Sequence, residues 1–287
     1  MKYFPLPENI AGKMDELANK LIAISQIGAT SFENSFDHRL FLQWTGETLH
    51  IPAIIVVIYL LFIRYGSQYM EKKAAFDLQY VLAFWNAFLS IFSAIGFLRT
   101  VPYCIAVIIK QPDYYHLVCD NGNEFFDGPC GIWMAAFMLS KVPELIDTVF
   151  IVLRKKPLGF LHWYHHVTVL LYCWHAYSTH TGAGILFCAM NYTVHSIMYA
   201  YYCMQALKCV PKGFPSQIIT LVQIAQMVVG VHVCATSAYH VYKGHNCDIT
   251  ENNLIAAILM YASYLYLFCE FAFKRYLMPK KKSEKKA

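Results

Sequence analysis

Seven apolar runs of about twenty residues recur along the 287-residue chain, near 49–64, 79–98, 131–153, 158–178, 183–207, 216–240 and 252–274. Lipid offers no water to backbone groups, so runs of this length read as helices, which close their own hydrogen bonds. At ~1.5 Å per residue, twenty residues cross the ~30 Å hydrocarbon layer. The chain is therefore expected to be an all-α integral membrane protein with seven transmembrane helices. Composition agrees: 57% of the residues are hydrophobic and 14% are charged, against about 25% charged in soluble domains. A further apolar piece, residues 101–109, is too short to span and is either re-entrant or an extension of the second helix.

No Pro/Gly/Ser-rich linker divides the chain, so a single domain over 1–287 is expected. It comprises an N-terminal segment to residue 48, a seven-helix core over 49–274 and a basic tail over 275–287. The N-terminal segment mixes Lys, Asp, Glu and Asn with scattered apolar residues and lacks the pattern of a cleavable signal peptide. Of the 23 Lys and Arg, 15 fall on one side of the runs: Arg64, Lys72, Lys73, Arg154, Lys155, Lys156, Lys208, Lys212 and seven from Lys274 onward. The short loops of the other side hold Arg99, Lys110 and Lys243. The positive-inside rule then makes the first side cytosolic, with the N-terminus across the membrane and the tail in the cytosol. Most of the net charge of +5 is tail, so nucleic-acid binding is not implied.

His162, His165 and His166 form an HxxHH cluster inside the fourth apolar run. Ionisable groups at membrane depth are costly and mark functional sites, and at about 100° per residue the three imidazoles share one helical face. Read as helix, the third run aligns Lys141, Glu144, Asp147 and Thr148, the fifth Asn191, His195, Tyr199 and Tyr202, and the sixth Thr220, Gln223 and Gln226. Taken singly these stripes are glue between helices, and Lys141 with Glu144 is an ion pair tying helices together. Counted at ~1.5 Å per residue from the cytosolic ends, however, they lie at nearly one level, about 10–18 Å in. Independent glue has no reason to agree in depth, so one polar chamber opening to the cytosol is expected. The sequon at Asn191 lies inside a span and is not expected to carry glycan.

A histidine box invites iron, which would make the protein a metal-dependent membrane lipid oxidoreductase. Such sites draw on several boxes, whereas the twelve histidines here include one HxxHH, so no bound metal or cofactor is expected. The chemistry left is proton transfer and nucleophilic attack, with a neutral imidazole taking the acyl group of a thioester. Cys173, Cys188 and Cys203 are the intramembrane rivals, and none shares the polar stripes. A lipid-binding or transport protein without catalysis is a third reading. Cys119 and Cys247, in loops on the non-cytosolic side, are candidates for a disulfide, with Cys130 the rival partner.

Four ordered motifs add a resemblance. Lys141, Glu144, Asp147 and Thr148 stand as KxxExxDT; Leu161, His162, Tyr164, His165 and His166 as LHxYHH; Asn191, His195, Met198 and Tyr199 as NxxxHxxMY; and Thr220, Gln223 and Gln226 as TxxQxxQ. Over residues 40–278 the chain resembles the ELO family of very-long-chain fatty acid elongases. The resemblance implies six of the seven helices forming a barrel around an acyl tunnel in the endoplasmic reticulum membrane. It also implies an acyltransferase, a 3-oxoacyl-CoA synthase, that condenses acyl-CoA with malonyl-CoA to give 3-oxoacyl-CoA, CO2 and CoA.

Carried onto these positions, the resemblance implies that His165 is the nucleophile and that His195 and Asn191 activate malonyl or stabilise its enolate. His162, His166, Glu144, Asp147 and Lys141 orient the imidazoles, Gln223 and Gln226 supply hydrogen bonds, and Tyr199 and Tyr202 line the substrate site. Lys155, Lys156, Lys208, Lys212, Lys274 and Arg275 are the candidates for the CoA phosphates. The implied partners are the two CoA thioesters and the bilayer, with the other enzymes of the elongation cycle and a second copy of the chain as further candidates. The HWYHH box and Pro157, five residues before His162, place the chain nearer the branch acting on saturated and monounsaturated chains. The tail does not form a standard dilysine retrieval signal, so residence in the endoplasmic reticulum rests on the resemblance.

Overall fold

The computed structural model describes residues 8–111, 113–119 and 124–278, and among these the chain is helical throughout with no strand. The basic run from Lys280 lies outside the described residues. The helices are α1 (Glu8–Gln26), α2 (Ser31–Asn34), α3 (His38–Glu47), α4 (His50–Glu71), α5 (Gln79–Lys110), α6 (Tyr114–Cys119), α7 (Gly128–Ser140), α8 (Ile146–Leu153), α9 (Phe160–Ser178), α10 (Gly184–Ala206), α11 (Gln217–Tyr242) and α12 (Glu251–Ala272). Four are long and apolar enough to cross a membrane: α4, α5, α11 and α12, the last continued by a π turn to Leu277. The other apolar runs form α7 with α8, each too short to span alone, and then α9 and α10, in which embedded polar side chains lower the hydropathy.

Residues 101–109 extend the second helix. Pro102 lies inside α5, where its ring has no N–H to give to the preceding turn, yet the helix runs on to Lys110. The third run departs from a continuous helix. Pro143 ends the α pattern, and a 3₁₀ turn, Pro143–Leu145, separates α7 from α8. The expected single face carrying Lys141, Glu144 and Asp147 is therefore broken at its centre, which puts Glu144 on the turn and Asp147 in the first turn of α8.

α5 packs most extensively against α10, α1 lies along α5, and α12 packs on both α11 and α9. Gly96 lets α5 and α10 close together: a Cβ there would stand 2.4 Å from the Tyr192 ring. Tyr192 donates in turn to the Trp133 carbonyl of α7 at 2.8 Å. At one end of the bundle a disulfide joins Cys119 of α6 to Cys247 in the α11–α12 loop, while Cys130 is buried and free. Asp248 N–H donates to Cys119 O and Gly182 N–H to Asp248 O, at 2.7 and 2.8 Å, so α6, the α9–α10 turn and this loop form one cover.

The N-terminal segment, whose composition gave no periodic pattern, folds into α1, α2 and α3. Thr30 and Glu33 form a capping box at α2. The same Glu33 carboxylate accepts from Arg99 Nε at 2.9 Å and Trp133 Nε1 at 2.8 Å. Arg99, counted by its sequence position as a loop charge, is thus a buried member of α5 that also donates to the Ser25 and Ile27 carbonyls. Burial raises the Glu33 pKa, but hydrogen bonds from Arg99, Thr30 and Trp133 outweigh it and hold the carboxyl at about 2.

Candidate active site

Pro143 and the HxxHH helix together build the polar centre. The turn that Pro143 enforces buries Glu144, whose Oε1 accepts from Lys141 Nζ at 2.6 Å and Ser140 Oγ at 2.9 Å. His195 Nδ1 lies 3.9 Å from that oxygen, and Oε2 is buried with no partner. Lys141 is 1% exposed; it also reaches Asn191 Oδ1 at 3.4 Å and sits 4.2 Å from the Phe137 ring centroid. The ion pair does more than tie helices together, because it reaches from the turn to the polar face of α10.

One turn onward, Asp147 accepts from Trp85 Nε1 at 2.7 Å and Tyr199 OH at 2.8 Å. Thr148 Oγ1 bonds Tyr59 OH at 2.7 Å and His162 Nε2 at 2.9 Å, which orients the first imidazole of the box. Next along α9, the His162 and His166 rings lie 4.5 Å apart and His165 and His166 5.5 Å; His166 Nδ1 is buried without a partner. The backbone at His165 is held from α12, where Tyr264 OH donates to its carbonyl at 3.1 Å and bonds Thr168 Oγ1 at 2.6 Å. The His165 imidazole itself makes no hydrogen bond among the described residues.

These groups surround a chamber of about 300 Å³ whose wall includes Glu144, Asp147, the three box histidines, Asn191, His195, Tyr199, Tyr202, Gln223 and Gln226. A second, slender and mostly apolar channel starts at the chamber and runs between α7, α9, α10 and α12 toward the disulfide end. Met134, Met138, Val169 and Phe187 line its middle, and the buried Phe126, Tyr177 and Thr181 its far end. His165, Asn191 and Gln226 belong to the walls of both spaces. On the other side of Asp147 and His162 a third cavity opens toward the end that carries Arg154 and Lys156, sharing Tyr199 and Tyr202 with the chamber.

Residues 44–284 match the model of the ELO, GNS1/SUR4 family. The chain belongs to the ELO family. It is similar to very long chain fatty acid elongase 6 of Drosophila melanogaster, 42% identical over 86% of this chain and 79% of that protein. The human elongase 6 is 40% identical over 88% of this chain and 95% of its own length. Fatty acid elongase 3 of Trypanosoma brucei brucei is 37% identical over 88% and 92%. This ELO protein is accordingly an enzyme of fatty acid elongation, embedded in a membrane.

The ELO chain gathers most polar residues of the four motifs around the chamber, with Lys141 behind Glu144 and Thr148 behind His162; Tyr164 instead bonds Ser263 Oγ on α12 at 3.0 Å, and Thr220 bonds Tyr276 OH at 3.2 Å. The expected CoA cations separate. Lys156 lines the outer cavity. Lys155 instead donates to the Glu71 and Lys73 carbonyls at 3.2 and 3.1 Å, and so ties the α8–α9 link to the end of α4. Lys274 pairs with Glu270 at 2.6 Å, Arg275 lies over the Phe271 and Tyr276 rings, and Lys208 and Lys212 are exposed and line none of the three spaces. Tyr59, Trp85 and Arg154 are site residues that the sequence did not single out. Tyr59 also brings α4 to the site, through Thr148, which bonds His162.

Among the described residues, the one group of His, Cys, Asp and Glu whose ligand atoms lie within 4.8 Å of one another is Asp37, His38 and Asp127. That group is at the disulfide end, beside Phe126, and contains none of the box histidines.

Proposed function

We propose that this ELO protein is the condensing enzyme of fatty acid elongation, joining an acyl-CoA to malonyl-CoA through an acyl group carried on His165. The observation that carries the reading is the common wall: His165, Asn191 and Gln226 stand where the apolar channel meets the polar chamber. A chain lying in the channel brings its thioester to an imidazole whose nitrogens no protein group among the described residues hydrogen-bonds. Seven helices would cross the endoplasmic reticulum membrane, the four apolar ones together with α7–α8, α9 and α10. α7–α8, α9, α10, α11 and α12 line both spaces, with α5 packed behind α10, and the end bearing Arg154 and Lys156 faces the cytosol.

In the first half-reaction a ring nitrogen of His165 attacks the thioester carbonyl, the C–S bond breaks, and the imidazole proton goes to the CoA thiolate. Acyl-imidazole and CoA result. In the second, malonyl-CoA loses CO2, and the electrons of the broken C–C bond form the enolate of an acetyl thioester. Asn191 and His195 donate to the enolate oxygen, which concentrates stabilisation where charge develops. The enolate carbon then attacks the acyl carbon, the C–N bond breaks, and the imidazole recovers a proton from solvent. Glu144 and Lys141 hold Asn191 and His195 in place, Thr148 fixes His162, and Asp147 fixes Tyr199. Arg154 and Lys156, at the outer cavity, offer charge to the CoA phosphates.

Twelve residues of α9 separate His165 from Tyr177, or ~18 Å. A staggered chain of ~1.5 Å bonds advances about 1.25 Å per carbon, so the channel takes roughly fourteen carbons. That length and the narrow bore suit saturated and monounsaturated chains. The test is elongation by purified protein in detergent with labelled malonyl-CoA and no added metal, beside His165→Ala, with mass spectrometry of the acylated intermediate. Labelled 3-oxoacyl-CoA from wild type alone and an acyl mass on the His165 peptide are expected. An adduct on a cysteine, or turnover by the variant, would overturn the assignment.

A further inference from the structure

The far end of the channel is not uniformly apolar. Two hydroxyls there are engaged: Tyr172 OH and Thr181 Oγ1 both donate to Asn253 Oδ1, at 3.4 and 3.3 Å. A third is not. Tyr177 lines the channel, is only 6% exposed, and its hydroxyl is buried with no hydrogen-bond partner. Its ring is wedged edge-on against Phe126 and Phe41, so the phenol is not free to swing to water. A buried hydroxyl with no partner is a standing cost, and one at the closed end of an acyl channel stands where the last carbon of a bound chain arrives. Beside it, His180 Nε2 is likewise buried and unpartnered, with its ring stacked on Phe126 at 3.9 Å.

We propose that the channel floor is a recognition site for a hydrogen-bonding ω-terminus, and that acyl chains ending in a primary hydroxyl are substrates of this protein, with Tyr177 the residue that selects them. The ω-hydroxyl is a spectator in the condensation and satisfies Tyr177 OH, which a terminal methyl leaves unpaired. The match depends on length. A hydroxyl on a chain of roughly fourteen carbons reaches Tyr177, by the ~18 Å spacing along α9. On a ten-carbon chain it stops among Met134, Val169 and Phe187 with nothing to bond, and loses its hydration without return. This inference rests on the condensing reading above.

The experiment compares kcat/KM for ω-hydroxy and plain acyl-CoAs of ten, twelve, fourteen and sixteen carbons, in the wild-type protein and in Tyr177→Phe. In the wild type the ratio of ω-hydroxy to plain should rise about tenfold between ten carbons and the optimum near fourteen to sixteen, the worth of one net hydrogen bond. In Tyr177→Phe the rise should vanish. A ratio flat with length in the wild type, no turnover of any ω-hydroxy chain, or a rise unchanged in Tyr177→Phe overturns the proposal. The wild-type length series does not depend on how the variant folds. Plain chains serve as the separate check: if they too are not elongated, the condensing reading itself has failed.

Discussion

Gly184→Leu is expected to shorten the acyl channel and move the chain-length cut-off. Gly184 begins α10 and lines the channel; its φ is not among the positive ones, and an added Cβ would meet only Met134 Cε, at 3.4 Å. The backbone therefore accepts the change, and the new side chain extends into the bore. From Asn191, at the chamber, to Gly184 is seven residues on one helical face, or ~10 Å. That leaves room for about eight carbons where the wild type takes roughly fourteen. Five or so methylenes of a fourteen-carbon chain are left outside, at ~0.8 kcal/mol each, or ~4 kcal/mol in all. The kcat/KM for that chain should fall about a thousandfold, while an eight-carbon chain changes by less than about threefold. Elongation rates across acyl-CoAs of eight to eighteen carbons would show it. A variant that is folded and active, yet ranks the chains as wild type does, would refute the channel as the ruler.

Asp147→Asn keeps one acceptor for Trp85 and Tyr199 where the carboxylate serves both. One buried donor is left unpaired at ~1–3 kcal/mol, and a fall of about tenfold or more in turnover with KM little changed is expected in steady-state assays. The Glu33 carboxyl, held at about 2 against its ordinary 4.5, favours the docked N-terminal segment. That contribution is complete above pH about 4.5 and is lost as pH falls toward about 2, ~3 kcal/mol in all. Limited proteolysis within α1–α2 should increase across that window, and at neutral pH in Glu33→Gln, which strands Arg99. Cys119→Ser removes a link between residues 128 apart, worth no more than ~5 kcal/mol because lipid already restrains the unfolded helices. Non-reducing thermal melts should show a lower Tm, and reduction of the wild type should reproduce it.

The polar centre was legible because lipid makes every buried polar side chain conspicuous: Glu144, His165, His195 and Gln226 announce themselves against apolar runs, and counting residues from the helix ends already set them at one depth. What counting could not supply was contact across helices. Trp85 and Tyr59 sit in runs where aromatic residues are ordinary, and only packing shows that they bond Asp147 and Thr148. Arg99 misled because its place at the end of an apolar run matches that of a loop charge; Glu33, 66 residues earlier, turns it into a buried one. The N-terminal helices were missed for a related reason. α1 buries Ala18 and Ser25 against α5, a stripe of small residues that carries little hydrophobic signal. Pro143 was visible, but its effect on the face it shares with Lys141 and Glu144 needed the turn to be seen.

The closed floor at Phe126, Tyr177 and Thr181 has a kinetic consequence. A condensation product is two carbons longer than the chain that filled the channel, and it has no deeper place to go. The two new carbons join at the thioester end, in the chamber, so a second round would have to bring the new thioester carbonyl back to His165 with two carbons too many for the channel. At ~0.8 kcal/mol per methylene, the two carbons left without contacts disfavour that reloading about tenfold relative to the original substrate. Release after one round then competes well with a second, and the enzyme should work distributively, handing on a narrow band of chain lengths rather than running each chain to its limit.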